Sequence, residues 1–177
     1  MSRIECRISG FGGQGVMLAG VVLGLAAILD GKNAAHTQSY GPEARGGAAR
    51  SDLVISDEEI DTLLVTKPNI VVAMSQEAYD KYLYGKPFDY AFVDSSMVQL
   101  KDVQSERLYA IPVTKYTVDE FGLKLVANMV MLGVINRVTK IVSDDALRQA
   151  VEESVPSKTV DLNLKAVNYG LSLAVNY

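Results

Sequence analysis

The sequence predicts an α/β fold: a Rossmann-like open, mostly parallel sheet with helices on both faces, followed by a helical C-terminal third. Three observations carry this reading. Short β-branched runs alternate with helical stretches through the first two thirds, the first strand-to-helix junction is rich in glycine, and the last third holds apolar-periodic segments with no strand among them. At 177 residues, 49% hydrophobic and 21% charged, the chain fits a single domain over 1–177. A domain of that size buries roughly 70% of its unfolded surface.

The elements follow in order. Ile4 to Ser9 is short, β-branched and read as a buried strand, and Val16 to Leu29 is a helix that is apolar nearly all round and stops at Asp30-Gly31. A helix with so little polar face must pack on a sheet and be covered elsewhere. "KNAAHTQSYG" reads as a second strand running into the irregular loop "SYGPEARGGAARSD", and "AARSDLVISD" resumes strand alternation. "NIVVAMS" with "QEAYDKYL" makes a strand-to-helix unit, and "YAFVDSS" and "RLYAIPV" supply two more strands. Leu123 to Val138, Asp144 to Ser154 and Val160 to Val175 are the three C-terminal helices.

Two glycine-rich loops are the candidate sites. In "RISGFGGQG", Gly10, Gly12 and Gly15 fit the spacing G-x-G-x-x-G, used where a strand turns sharply into a helix and its amides face a phosphate. Gly10 is expected to supply an unusual backbone conformation, Gly12 room for a ligand or neighbouring backbone, and Gly15 close helix–strand packing. A nicotinamide site also needs an acid at the end of the second strand, about 20 residues on. Counting from Gly10 reaches Asp30, where the first helix stops, while the second strand ends in Thr37, Gln38 and Ser39. That mismatch argues against ordinary dinucleotide binding and leaves a tight turn that only packs the helix as one alternative. In the second loop, Tyr40 offers a ring and a hydroxyl, Glu43 and Arg45 offer both charges, and Gly46-Gly47 free the backbone to bend. It is expected at the carboxyl end of the second strand, beside the carboxyl end of the first, so that both loops share one edge of the sheet.

Composition excludes several classes. A net charge of −4 with no basic run gives no electrostatic reason for nucleic acid. The single cysteine, Cys6, rules out an internal disulfide and any four-thiolate iron–sulfur site, and suits a reducing cytoplasm. "MSRIEC" does not resemble a signal peptide, and the longest apolar stretch, Val16 to Leu29, falls short of the ~18 residues of a membrane span. The lone histidine, His36, sits in an apolar strand and reads as packed or hydrogen-bonded rather than as a general base. Met129 and Met131 read as core, and Asn128, a polar residue opening their stripe, is expected to tie its helix to the glycine loop.

"GFGGQGV", "SYGPEARGG" and "ANMVMLG", in this order and at these separations, resemble the gamma subunit of 2-oxoacid:ferredoxin oxidoreductases over essentially the whole chain. The resemblance implies a subunit of a multi-chain enzyme that oxidatively decarboxylates a 2-oxoacid, forms an acyl-coenzyme A and passes electrons to ferredoxin. It implies alpha, beta and ferredoxin-like delta partners, with thiamine diphosphate and iron–sulfur clusters held by those partners. This chain is then expected to bind no cofactor of its own and to be inactive alone, with a homodimer possible in isolation. A free-standing chain without a fused ferredoxin domain looks most like the 2-oxoglutarate form. Gly10, Gly12, Gly13, Gln14 and Gly15 of the first loop, with Tyr40, Glu43, Arg45, Gly46 and Gly47 of the second, are the residues expected to face coenzyme A or a neighbouring subunit. The competing readings are a ligand-free α/β interaction module and a NAD- or FAD-linked oxidoreductase.

Overall fold

The computed structural model describes residues 3–39, 48–101 and 107–173. Six strands form one sheet in the order β2-β3-β1-β4-β5-β6. They are β1 (Ile4–Gly10), β2 (Asn33–Ser39), β3 (Ala49–Ser56), β4 (Ile70–Ala73), β5 (Tyr90–Asp94) and β6 (Leu108–Ile111). Strands β1, β4, β5 and β6 pair in parallel, while β3 runs antiparallel to both β1 and β2. The sheet is therefore mixed, although five of its six strands point the same way. The expected place of β2 beside β1 is corrected here. The chain returns from β2 as a hairpin, and the returning strand β3 occupies that position, pairing Gly10 with Ala49 on one side and Ser39 with Arg50 on the other.

The two faces are covered unequally. On one face, β1 points Cys6 and Ile8 into a large core that also takes Leu53, Val72 and Phe92. Against it pack α1 (Val16–Leu29), α4 (Ala127–Thr139), α5 (Asp144–Ser154) and α6 (Val160–Ser172). The other face meets a short turn of α-helix, Gln76–Ala78 (α2), that continues as a π-helical turn over Tyr79–Leu83. Tyr79 and Leu83 from this segment bury Val71, Ala73, Ala91 and Val93. Farther along that face, beneath β1 and β3, lies a polar pair instead. Arg7 meets Asp52 through two hydrogen bonds of 2.7 Å, under the ring of Tyr82.

Helices α4 and α6 cross at van der Waals contact of their backbones. A Cβ on Gly133 would stand 2.3 Å from the carbonyl oxygen of Val167, and one on Gly170 would stand 2.1 Å from that of Val130. The boundaries of α1 and α5 are those read from sequence. One helix was not anticipated: α3 (Val113–Phe121), which ends at Gly122 in the left-handed region (φ 72). The turn that follows delays the next helix, so α4 starts at Ala127 rather than Leu123. Leu123 and Leu125 are left exposed.

Candidate functional site

Strands β1 and β4 are neighbours, but the segments leaving their carboxyl ends diverge. From β1 the chain runs into α1 and on to β2, and from β4 it passes through α2 towards β5. Open α/β sheets form a crevice at such a divergence. Here the glycine loop forms one lip of it. Gln14 holds the loop in place: its Nε2 donates to the carbonyl of Met74 at 2.7 Å, and its Oε1 accepts from the Phe11 amide at 2.9 Å. Gly10 makes room for this staple, since a Cβ there would lie 2.3 Å from Gln14 Oε1. Its φ is not positive, so the expected role of Gly10 is corrected from conformation to space.

Gly15 does take the left-handed conformation, at φ 72, and forms the N-terminal boundary of α1. Its expected contact with the strand is replaced by one with α4. Asn128 Nδ2 donates to the Gly15 carbonyl at 3.1 Å, and a Cβ on Gly15 would sit 2.5 Å from that nitrogen. The predicted tie between Asn128 and the glycine loop is thus present. Asn128 Oδ1 is buried and has no partner among the described residues. Gly12 and Gly13 are exposed, and their amides donate to no acceptor among the described residues. These two exposed amides lie just ahead of α1, whose N-cap is Gly15, at the end of the helix where its dipole favours negative charge.

Beside the loop opens a cavity of about 260 Å³, walled by Phe11, Met74, Met97, Thr114, Leu123 and Leu125. Its lining is predominantly apolar. Leu125 is 70% exposed and Phe11 39% exposed, so the crevice presents an apolar rim. Buried Asp94 fixes the far wall. It accepts from the Ser96 amide at 3.1 Å and the Thr114 amide at 3.0 Å, and from both hydroxyls at 2.5 Å. The carboxylate thereby joins the end of β5 to the start of α3. A second cavity of about 220 Å³ lies along Gly13, Gly15 and Asn128, closed by Pro156, Thr159 and Leu162. Sequence reasoning missed Met74, Met97, Thr114, Leu123 and Leu125, because they come from separate elements and share no spacing.

Gly10, Gly12, Gly13, Gln14 and Gly15 are brought together at this edge. Tyr40, Glu43, Arg45, Gly46 and Gly47 lie outside the described residues. The strand ends that flank them, Ser39 and Ala49, reach the same edge of the sheet as Gly10, with β3 between β2 and β1.

The remaining candidates have structural roles. His36 Nε2 lies 2.6 Å from Ser51 Oγ, and burial lowers the imidazole pKa below its usual value. Asp30 accepts from the amide and the hydroxyl of Ser143, at 2.5 and 2.6 Å. It stands at the amino end of β2, opposite the edge where a ribose would be held. Cys6 is fully buried, and burial with the nearby Asp52 charge pushes its thiol up to about 12. Met129 and Met131 are core residues. Among the described residues no group of His, Cys, Asp and Glu could hold a metal ion, and no helix is long and apolar enough to cross a membrane.

Residues 5–173 match the model of the pyruvate ferredoxin/flavodoxin oxidoreductase family. Over 176 residues the chain is 49% identical to the 2-oxoglutarate synthase subunit KorC of Methanocaldococcus jannaschii, covering 97% of this chain and 94% of that protein. Among solved structures, the gamma subunit of a keto/oxoacid ferredoxin oxidoreductase from Geobacter sulfurreducens superposes with a TM-score of 0.83 at 39% identity, covering 96% of this chain and 95% of that one. A 2-oxoglutarate:ferredoxin oxidoreductase from Magnetococcus marinus, solved with 2-oxoglutarate, coenzyme A and succinyl-CoA bound, shares the fold with a TM-score of 0.79 at 22% identity, and this chain spans 31% of it.

Proposed function

The chain belongs to the pyruvate ferredoxin/flavodoxin oxidoreductase family, and from that premise we propose that it works as the gamma subunit of a 2-oxoglutarate:ferredoxin oxidoreductase. The observation that carries this reading is the near-full-length match, at 49% identity, to a 2-oxoglutarate synthase subunit. The reaction decarboxylates 2-oxoglutarate, transfers the succinyl group to coenzyme A and passes the released electrons to ferredoxin. With one cysteine and one histidine, this chain lacks the ligands for an iron–sulfur relay. Alpha and beta subunits hold thiamine diphosphate, a ferredoxin-like delta subunit carries the clusters, and the assembly works in the cytoplasm.

In this reading the gamma chain shapes the approach of coenzyme A and the boundary with its neighbours. The exposed amides of Gly12 and Gly13, at the positive end of α1, receive a coenzyme A phosphate or a carboxylate of an adjoining subunit. Gln14 and Asn128 keep those amides in position through their bonds to Met74 and Gly15. Arg45 pairs with an anion, Glu43 orients it, and Tyr40 stacks at the subunit boundary. Gly46 and Gly47 give that stretch of backbone the freedom glycine allows.

Anaerobic copurification with the tagged chain, followed by an assay of coenzyme A-dependent dye reduction, tests the assignment. Recovery of thiamine diphosphate-binding and ferredoxin-like chains that prefer 2-oxoglutarate over pyruvate is expected. Recovery of the chain alone, colourless and inactive, overturns it. In the same assembly, Arg45→Ala is expected to raise the Michaelis constant for coenzyme A or weaken subunit association. If both are unchanged, Arg45 has no such role.

A further inference from the structure

The two edges of the sheet are built differently. Strand β6 is four residues long and is closed by Pro112, which limits pairing with another strand. Strand β2 is seven residues long, NAAHTQS, and contains no Lys, Arg, Asp, Glu or Pro. It pairs with β3 on one side, and on the other side nothing pairs with it among the described residues. Sheet edges of this kind are ordinarily blunted by a charge, a proline or a bulge, because unpaired N–H and C=O groups template another strand.

Helix α1 lies directly above this edge. Gly20 faces the sheet, where a Cβ would strike Ser51 of β3 and His36 of β2, so the helix axis runs over the gap between those strands. At about 100° per residue, Val21 and Ile28 lie about 80–100° further round, on one flank of the helix. The opposite flank, with Ala19, Leu23 and Ala26, is buried in the core. Val21 and Ile28 therefore project past the edge strand, and they are 40% and 54% exposed. A helix flank of valine and isoleucine beside an uncharged edge strand leaves both a hydrogen-bonding ladder and an apolar stripe without a partner among the described residues.

We propose that this edge is a self-association surface, on which β2 pairs antiparallel with β2 of a second copy while α1 packs against its counterpart. Spacing supports a second copy as the occupant. With strands about 4.8 Å apart, a helix above the β2/β3 gap and its two-fold mate stand roughly 10 Å from each other. Packed helices sit about 8–10 Å apart, so one two-fold axis satisfies the strand ladder and the apolar stripe together. An uncharged strand also meets its own copy without like-charge repulsion.

Light scattering and hydrogen–deuterium exchange on the full chain test this. At roughly 100 µM, where an interface of micromolar affinity is filled, a dimer with protected β2 amides is expected. Val21→Lys with Ile28→Lys places two ammonium groups across the two-fold axis. Because both sites are exposed, circular dichroism should stay unchanged, while the dissociation constant rises about tenfold or more. A monomer at that concentration, a dimer whose β2 amides exchange freely, or a dimer indifferent to the two lysines overturns the proposal. So does a chain whose β2 amides become protected only on adding other subunits, which assigns the edge to a different partner.

Discussion

Asn128 and Gly15 are locked to each other: the asparagine Nδ2 donates to the glycine carbonyl at 3.1 Å from the very position a Cβ on Gly15 would invade, at 2.5 Å. The positive φ of Gly15 and this contact are separate reasons for glycine. Gly15→Ala is expected to cost about 2–4 kcal/mol, strain and clash together. Asn128→Ala alone should cost only about 1 kcal/mol, because the Gly15 carbonyl keeps the Ala19 amide at 3.0 Å and the unpartnered Oδ1 is removed. In the double variant the clash disappears and the strain stays, so the total should fall short of the sum. Urea denaturation of the four proteins measures the difference, and strict additivity would refute the coupling.

Gln14 closes the glycine loop through both halves of its amide, and the two halves can be separated by substitution. Gln14→Ala leaves the Phe11 amide and the Met74 carbonyl without their partner and should cost about 1–2 kcal/mol. Gln14→Glu keeps the acceptor for Phe11 but turns a carboxylate oxygen towards the Met74 carbonyl. Its deficit should be larger at pH 7 than at pH 4, where the protonated acid donates as the amide did. A deficit that does not shrink on acidification would show that the bond to Met74 contributes little.

How far this site could be read in advance depends on whether each contact is local. Helix α1 was legible because a continuous apolar run is bracketed by Gly15 and Asp30-Gly31, and Asn128 because a lone amide in an apolar stripe needs partners. Strand β3 was legible as a strand but not as the neighbour of β1, since pairing order depends on where a hairpin returns rather than on composition. Helix α3, VTKYTVDEF, is short and mixed in character, and its buried residues are only Val113 and Thr117, too few for a periodic signal. The left-handed Gly122 then resets the chain, and Leu123 and Leu125 pass from an expected helix face to the rim of a cavity. The cavity itself is assembled from the carboxyl edge of β1 and β4, the turn after β5 and the ends of α3 and α4, a convergence that no local spacing encodes.

Arg7 and Asp52 form a bidentate pair across β1 and β3, with side chains 13% and 7% exposed. Arg7 also donates to the Val65 carbonyl at 3.0 Å and lies over the Tyr82 ring, 5.3 Å from its centroid. Removing Asp52 strands the buried Arg7 guanidinium, so Asp52→Leu should cost about 3 kcal/mol, while Arg7→Met should cost less, because Arg50 Nε stays 3.5 Å from the Asp52 carboxylate. The double replacement should cost much less than the sum, since no charge is then left unpaired in the pair. Arg7→Lys should not rescue the single variant, because an ammonium cannot reproduce the two parallel bonds. Thermal unfolding of the four variants decides it, and a lysine variant as stable as the parent would disprove the bidentate argument.

Cys6 gives a pH signature that isolates one buried group. Its thiol is pushed from 9.0 to about 12, first by burial, then by the Asp52 charge, with Arg7 opposing. In the unfolded chain the thiol ionises near its ordinary value, so between about pH 9 and 12 the folded state holds a proton that the unfolded state has released. Stability is therefore whole below pH 9 and falls as pH rises, by about 1.4 kcal/mol per unit in that window. Cys6→Ala loses a little packing at every pH but has no thiol to titrate, so the comparison of the two proteins isolates this one group. The stability advantage of the parent over Cys6→Ala should hold constant from pH 7 to 9 and then shrink towards pH 10.5, as read from urea midpoints. The same burial predicts that iodoacetamide labels Cys6 only in denaturant. A difference that stays flat above pH 9, or ready alkylation of the native chain, would show that the thiol is open to solvent.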